Sequence, residues 1–180
     1  KVLPTSEFLR EESLKVGEHN GDNLIVTYPG LDTDFWEFGK KREKLVLSVA
    51  NCDTAKRLSI KGIDLILEVA EQMSNVTFKI VGVTSQILAA SGMSIPRNVH
   101  IQSFIHRDLL LAEYKKASVY LQLSRVESFG IATAEAMICG CIPVVSNVGG
   151  LPETVGSTGG VVSSENINAV VNIVNRFLDK

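Results

Sequence analysis

Few residues in this chain belong to the types that advertise a special chemistry. Three cysteines, Cys52, Cys139 and Cys141, stand among 180 residues. An odd number without framework spacing excludes a disulfide scaffold and points to a reducing compartment, so the expected location is cytoplasmic. Cys139 and Cys141 read as small apolar residues where a helix gives way to a buried strand. The three histidines are too scattered for a zinc site, and no D-x-D pair offers itself to a divalent ion. No metal or cofactor is expected. Neither sign of charge dominates: a net charge of −2 gives no electrostatic case for nucleic acid or an anionic membrane surface. Any phosphate binding has to be local. No apolar run approaches the ~20 residues of a membrane-spanning helix, no signal peptide opens the chain, and there is neither an internal repeat nor a low-complexity stretch. What remains, 45% hydrophobic and 21% charged residues, is an ordinary globular composition with enough chain for one well-buried domain. The pattern is already under way at Lys1, and the chain is expected to be a piece of something longer.

From Lys44 onward, β-rich apolar runs alternate with amphipathic segments. Strands are predicted at Leu45–Ala50, Val76–Val81, Asn98–Gln102, Ser118–Leu123, Ile142–Ser146 and Gly160–Val162. Helices are predicted at Lys61–Met73, Ser85–Ala90, Arg107–Lys116, Ser128–Ile138 and Glu165–Asp179, with a short one opening at Leu151 beside Pro152. One strand and one helix every ~20–25 residues mark an α/β, doubly wound Rossmann-like parallel sheet flanked by helices. Such sheets bind ligands outside the carboxyl ends of their strands, where Lys61, Gly82, His106, Glu127 and Gly149-Gly150 all fall. The first 40 residues behave differently. Ser6 is a candidate N-cap, Asn20-Gly21-Asp22 a turn, and Leu24 to Tyr28 a short strand. Asp32 and Asp34 cap turns, and Phe35 and Trp36 should pack onto the sheet.

The stretch Ser124 to Met137 carries the most chemistry. It sets Glu127 just before a helix and Glu135 two turns inside it, with Phe129, Gly130 and Ile131 at the helix mouth. A helix N-terminus offers unpaired N–H groups and partial positive charge to an anionic or oxygen-rich ligand, and Gly130 would let that ligand close on the backbone. Eight residues of helix span about 12 Å, so the two carboxylates can grip different parts of one elongated ligand. A phosphate flanked by hydroxyl-bearing rings, a nucleotide sugar, fits that description. The plainer readings are that Glu127 neutralises a helix end, worth ~0.3–1 kcal/mol, that Glu135 is a solvated helix residue, and that Lys61 and Arg57 are surface cations. His106 and Glu153 read as structural.

Several segments together resemble the C-terminal, donor-binding domain of a GT-B fold retaining glycosyltransferase (glycosyl transferases group 1, family 4-like). Tyr28-Pro-Gly-Leu-Asp32 followed by Phe35 is similar to the inter-domain P-N-G-V-D…F segment. Lys61-Gly-Ile-Asp-Leu65 resembles K-G-V-D-L, and Val76 to Gly82 resembles V-x-L-x-I-V-G. Glu127 through Glu135-Ala-Met137 matches E-x7-E, while Cys141-Ile-Pro-Val-Val145 and Gly149-Gly-Leu-Pro-Glu153 match G-x-P-V-V and G-G-x-P-E. In this order and spacing the motifs are specific, and they cover nearly the whole chain.

The resemblance implies transfer of a hexose from a nucleotide diphosphate sugar with retention, without a required metal. Glu127 would orient the donor sugar, and Glu135 would hold the ribose. Backbone N–H groups of Phe129, Gly130 and Ile131 would hold sugar hydroxyls or the distal phosphate. Lys61 would neutralise the diphosphate, the loop Ser103 to His106 would read the base, mostly through backbone at Ile105, and Gly82 would be a further donor-binding residue. The family's arginine after the first strand is missing: its G-R pair reads Ala50-Asn51 here, and Arg57 is the candidate replacement. Residues 1–28 would be the tail of the N-terminal domain or an inter-domain segment, and 29–180 the nucleotide-sugar-binding domain. The acceptor site would lie in an N-terminal domain of the same protein, so this chain alone should bind donor and transfer nothing. The acceptor is not specified, and peripheral membrane association of the full-length enzyme is compatible with the resemblance. The alternatives are half of a sugar-nucleotide epimerase and a non-catalytic GT-B-like module.

Overall fold

A computed structural model describes residues 1–17, 21–39 and 43–179. Its centre is a six-stranded sheet in the order β3-β2-β1-β4-β5-β6, with every neighbouring pair parallel. The strands are β1 (Glu43–Val49), β2 (Thr77–Val81), β3 (Val99–Gln102), β4 (Ala117–Gln122), β5 (Ile142–Ser146) and β6 (Gly160–Val162). The helices are α1 (Glu7–Val16), α2 (Ala55–Ile60), α3 (Ile63–Gln72), α4 (Ser85–Ala90), α5 (Arg107–Lys116), α6 (Ile131–Ile138), α7 (Leu151–Val155) and α8 (Ile167–Leu178). The chain starts the sheet at its middle, winds out to β3, then crosses back to lay β4 beside β1. The switch point is therefore the gap between the ends of β1 and β4.

Both faces of the sheet are covered, so its strands are near-continuous apolar runs. Alternation along β4 sorts the two cores. Val119, Leu121 and Leu123 join Val46, Ile80, Leu58, Ile63 and the buried sides of α3 and α8 on one face. Tyr120 joins Trp36, Leu47, Val81, Tyr114 and Ala136 on the other. Trp36 stacks edge-on against Tyr114, ring centroids 5.6 Å apart, and Phe35 edge-on against Trp36, so this pair anchors the early segment as its sequence suggested.

Four of these eight helices are capped by side chains of the types that cap helices best. Ser6, Thr54, Thr84 and Asn166 each accept a backbone N–H at the start of α1, α2, α4 and α8. Most predicted boundaries lie within two residues of the observed ones, but three readings need correction. The helix expected to begin at Lys61 is two helices: Lys61 is the C-cap of α2, and Gly62, in the left-handed region, starts α3. The polar stretch before Lys61 buries only Leu58, too little to leave a periodic signal. The helix expected from Ser128 begins at Ile131. Leu24 to Tyr28 makes no strand, only a single parallel bridge between Val2 and Leu24. The Asn20 part of the predicted turn lies outside the described residues; Gly21–Asn23 form a 3-10 turn.

Candidate functional site

At the β1/β4 switch point lies a cleft of about 330 Å³. The end of β1 brings Val49, Ala50 and Asn51, β4 brings Gln122, and the turn into α6 brings Glu127 to Ala132. Arg57 and Lys61 enter from α2, and Thr5 and Pro29 from the N-terminal segment. A larger hollow of about 580 Å³ lies between α3 and the segment that leads into β3, away from the carboxyl ends of the strands. Asp64, Glu68 and Glu71 line it against one cation, Arg97, a balance that disfavours a phosphate.

The Glu127 carboxylate is the centre of the cleft. Its Oε2 accepts from Lys61 Nζ and from Gln122 Nε2, each at 2.7 Å, and its Oε1 accepts from the Ser128 N–H at 3.2 Å. The ion pair is mostly shielded, with side chains 28% and 15% exposed. Arg57 is exposed and sits 3.5 Å from Asp53, an ordinary surface pair. Asn51 is exposed on the rim.

The backbone holding Glu127 is fixed from all sides. Arg125 N–H donates to Ile60 at 2.8 Å, and its guanidinium grips both oxygens of Asp64 at 2.8 and 2.7 Å. Three successive carbonyls of the turn are also occupied. That of Glu127 accepts from Gly150 N at 3.3 Å, that of Ser128 from Ser6 Oγ at 2.8 Å, and that of Phe129 from Thr154 Oγ1. In a trans peptide C=O and N–H point opposite ways, so the N–H groups of Ser128, Phe129 and Gly130 face away from these anchors. Gly149 has φ +59°, and a Cβ there would stand 1.8 Å from the Glu127 carbonyl; only glycine fits. Gly130 is explained differently from the sequence reading. It is buried with φ +95°, and a Cβ would meet Leu151 at 2.6 Å. Packing accounts for that glycine without a ligand.

The N-terminal segment is part of this architecture. Glu153 on α7 accepts the Glu7 N–H at 3.0 and 3.1 Å and the Tyr28 hydroxyl at 2.5 Å. The Tyr28 ring lies 6.1 Å from that of Phe129. Hydrogen bonding to Glu153 raises the Tyr28 phenol above its ordinary value. Ser6 is wholly buried between α1 and the Glu127 turn.

The cleft thus gathers Lys61, Arg57, Glu127, Phe129, Gly130 and Ile131. Glu135, Ile105 and Gly82 are not on its wall. Glu135 is half-buried and accepts from Tyr114 Oη at 3.2 Å. Burial pushes its carboxyl above the ordinary range, opposed by that hydrogen bond and by the charge of Arg107. Arg107 sits 3.6 Å over the Phe35 ring and 3.4 Å from Asp32. Ile105 packs against the cluster that contains Tyr114 and Trp36. Gly82 bonds to Gln102 and Cys52 through its backbone beside the β1 end. His106 starts α5 and pairs with Asp108 at 2.7 Å on the surface. Cys52, Cys139 and Cys141 are buried, and the Cys141 thiol donates to the Tyr114 carbonyl at 3.1 Å. Among the described residues no group of three or more His, Cys, Asp or Glu is placed to hold a metal, and no helix is long and apolar enough to cross a membrane. Sequence reasoning missed Gln122, Ser6 and Thr154 as parts of the site.

A doubly wound parallel sheet with a cation–carboxylate pair in the cleft at its switch point is a Rossmann-like α/β domain. The chain belongs to the glycosyl transferases group 1 family, which it matches over residues 32–180. It is 26% identical over its whole length to the D-inositol 3-phosphate glycosyltransferase of Mycobacterium sp. (strain KMS), spanning 45% of that protein. It is 30% identical over 68% of its length to the N-acetyl-alpha-D-glucosaminyl L-malate synthase of Bacillus anthracis, spanning 33% of it. Its fold is shared with a glycosyltransferase from Rickettsia africae (TM-score 0.81, 16% identity, 99% of this chain and 53% of that one). It is also shared with Anabaena HepE in complex with UDP-glucose (TM-score 0.76, 18% identity, 97% and 53%). The chain spans less than half the length of these curated relatives.

Proposed function

We propose that this chain is the nucleotide-sugar-binding half of a retaining, metal-independent hexosyltransferase of the cytoplasm, whose acceptor site lies on an N-terminal domain. The observation that carries the reading is the Lys61–Glu127 pair at 2.7 Å in the switch-point cleft. A diphosphate entering beside α2 would meet Lys61 and Arg57, and a hexose would meet the Glu127 carboxylate and the N–H groups of Phe129, Gly130 and Ile131. Transfer demands stabilisation of charge building on the departing diphosphate. Lys61, Arg57 and the α6 N-terminus supply positive charge for that, and Glu127 orients the sugar. The nucleoside would run on from the cleft wall toward Glu135 for the ribose and Gly82 and Ile105 for the base. Tyr114, which binds Glu135 and shares a cluster with Ile105, links those positions. UDP-glucose bound by HepE, a neighbour in fold, is in keeping with a donor of this chemistry. A non-catalytic module is the second reading, favoured by Asn51 on the rim and by Arg57 being tied to Asp53.

A thermal-shift panel of UDP, GDP, ADP and their hexose conjugates tests the proposal. The preferred donor should raise the melting temperature by mass action, about 2.7 kcal/mol at a hundredfold excess over Kd. Glu135→Ala should weaken every nucleotide, and Glu127→Ala only the sugar-bearing ones. No shift with any nucleotide would favour the non-catalytic module.

A further inference from the structure

We propose that Gln122 is a positioning residue for the donor sugar: its amide holds the Glu127 carboxylate in place when Lys61 turns to the diphosphate. The inference rests on the functional reading above. Strand parity puts Gln122 on the same side of the sheet as Tyr120, facing α6 rather than α3. There it is 6% exposed among fully buried Ser124, Thr133 and Tyr120. Its two N–H groups are both used, one on Glu127 Oε2 at 2.7 Å and one on Ser124 Oγ at 3.2 Å. Its Oε1 accepts from Thr133 Oγ1 at 2.8 Å and from Tyr120 Oη at 3.2 Å. Two hydroxyls on the oxygen and a carboxylate on the nitrogen allow only one orientation of the amide. The lock spans β4 and α6, and among the described residues no buried side-chain nitrogen or oxygen lacks a hydrogen-bond partner.

Lys61 and Gln122 share one oxygen of Glu127, but they are not equivalent. Lys61 is a point charge on a flexible stem, and a diphosphate competes with Glu127 for it. Gln122 is neutral, buried and fixed at both ends, so a phosphate does not draw it away. Once Lys61 turns, Gln122 on Oε2 and the Ser128 N–H on Oε1 still hold both oxygens. The carboxylate then keeps its aim toward the sugar hydroxyls.

Lys61 and Arg57 from α2 line the cleft with this carboxylate, and Tyr120 from β4 lies between the charges of Glu127 and of Glu135 on α6, feeling both. Burial raises the Tyr120 phenol far above its ordinary range, so it remains a donor at any working pH. Gln122→Met keeps the volume and removes every hydrogen bond. Gln122→Glu keeps the shape and sets a second carboxyl against Glu127. When that pair shares one proton, the O–H of the introduced carboxyl can replace the amide N–H; when both ionise, they repel.

Calorimetry on the 180-residue chain, with UDP, GDP or ADP (whichever binds tightest) alone and as its hexose conjugate, measures the affinity gained from the sugar between pH 5 and 9. With Gln122→Met that gain should fall about tenfold at every pH, as expected for a lost charge-assisted hydrogen bond. Affinity for the bare nucleotide should change by less than about twofold. With Gln122→Glu the gain should approach the parent's at pH 5 and vanish as pH rises, while the parent's stays flat from pH 6 to 8. Should Gln122→Met fail to fold, Thr133→Val frees the far end of the amide and should lower the gain about threefold. If the parent gains affinity from the sugar and all variants keep that gain, this proposal alone is overturned. It is likewise overturned if the variants lose bare nucleotide and sugar conjugate equally. A parent that gains nothing from the sugar overturns the functional reading, and this proposal with it.

Discussion

Glu127 and Glu135 stand eight positions apart and live in different electrostatics. Glu127 has a cation and two neutral donors on its oxygens. Glu135 is half-buried with a phenol as its hydrogen-bond donor, and desolvation dominates, raising its carboxyl above the ordinary range. A carboxyl whose folded pKa exceeds its unfolded one takes up protons on folding. Its stabilising contribution is full below the unfolded value and is lost as pH rises through the folded value. Glu135→Gln keeps an acceptor for Tyr114 and removes the charge. The variant should gain stability relative to the parent as pH rises from 4 to 7, read as melting temperature against pH. A constant difference across that window would show that Glu135 carries no buried-charge penalty. What could be read from the sequence at this scale was that Lys61 and Glu127 meet at a strand-end cleft; Glu135, read with them, stands off its wall beside Tyr114. Gln122 could not be read, because a lone glutamine in a buried strand looks like a solvent-facing residue until Thr133, eleven residues on, and Tyr120 are known to meet its oxygen.

Between elements, the turn before α6 is a junction of four parts of the chain. β5 and α7 reach it through Gly149, Gly150 and Thr154, α2 through the Ile60 carbonyl, and α1 through Ser6. The alternation of strand and helix was legible because period-2 and period-3.6 patterns are local. The junction was not, since Ser6 and Ser128 lie 122 positions apart, and capping signals name the helix they start without naming the loop they also hold. Ser6 does both: its hydroxyl accepts the Leu9 N–H as a cap and donates to Ser128. Ser6→Ala should therefore lose a cap and leave a buried carbonyl unpaired, about 1–2 kcal/mol in denaturant unfolding. Ser13, on the same helix, bonds back to Leu9 within α1, and Ser13→Ala should stay within about 0.5 kcal/mol. Equal effects of the two would mean that the α1 contact adds nothing to the site's rigidity.

At the scale of the whole molecule, the switch point fixes where a ligand meets the sheet, and one rim of the cleft belongs to the N-terminal segment through Thr5 and Pro29. That segment leaves Leu3, Phe8, Val16 and Ile25 exposed. The chain spans 45% of the mycobacterial D-inositol 3-phosphate glycosyltransferase. Transfer requires an acceptor hydroxyl held within reach of the anomeric carbon, and that orientation contributes several orders of magnitude to the rate. The proposed function gives Lys61, Arg57 and Glu127 to the donor side and assigns no residue to an acceptor. The 180-residue chain should therefore bind the donor found in the nucleotide panel yet release hexose, to water or to an added acceptor, at least about a thousandfold more slowly than a full-length relative. Coupled release of nucleoside diphosphate reads that rate directly. Turnover matching a full-length relative would mean that the cleft at the β1/β4 switch point, with its N-terminal rim, already contains an acceptor site, and the division of labour between two domains would have to be given up for this protein.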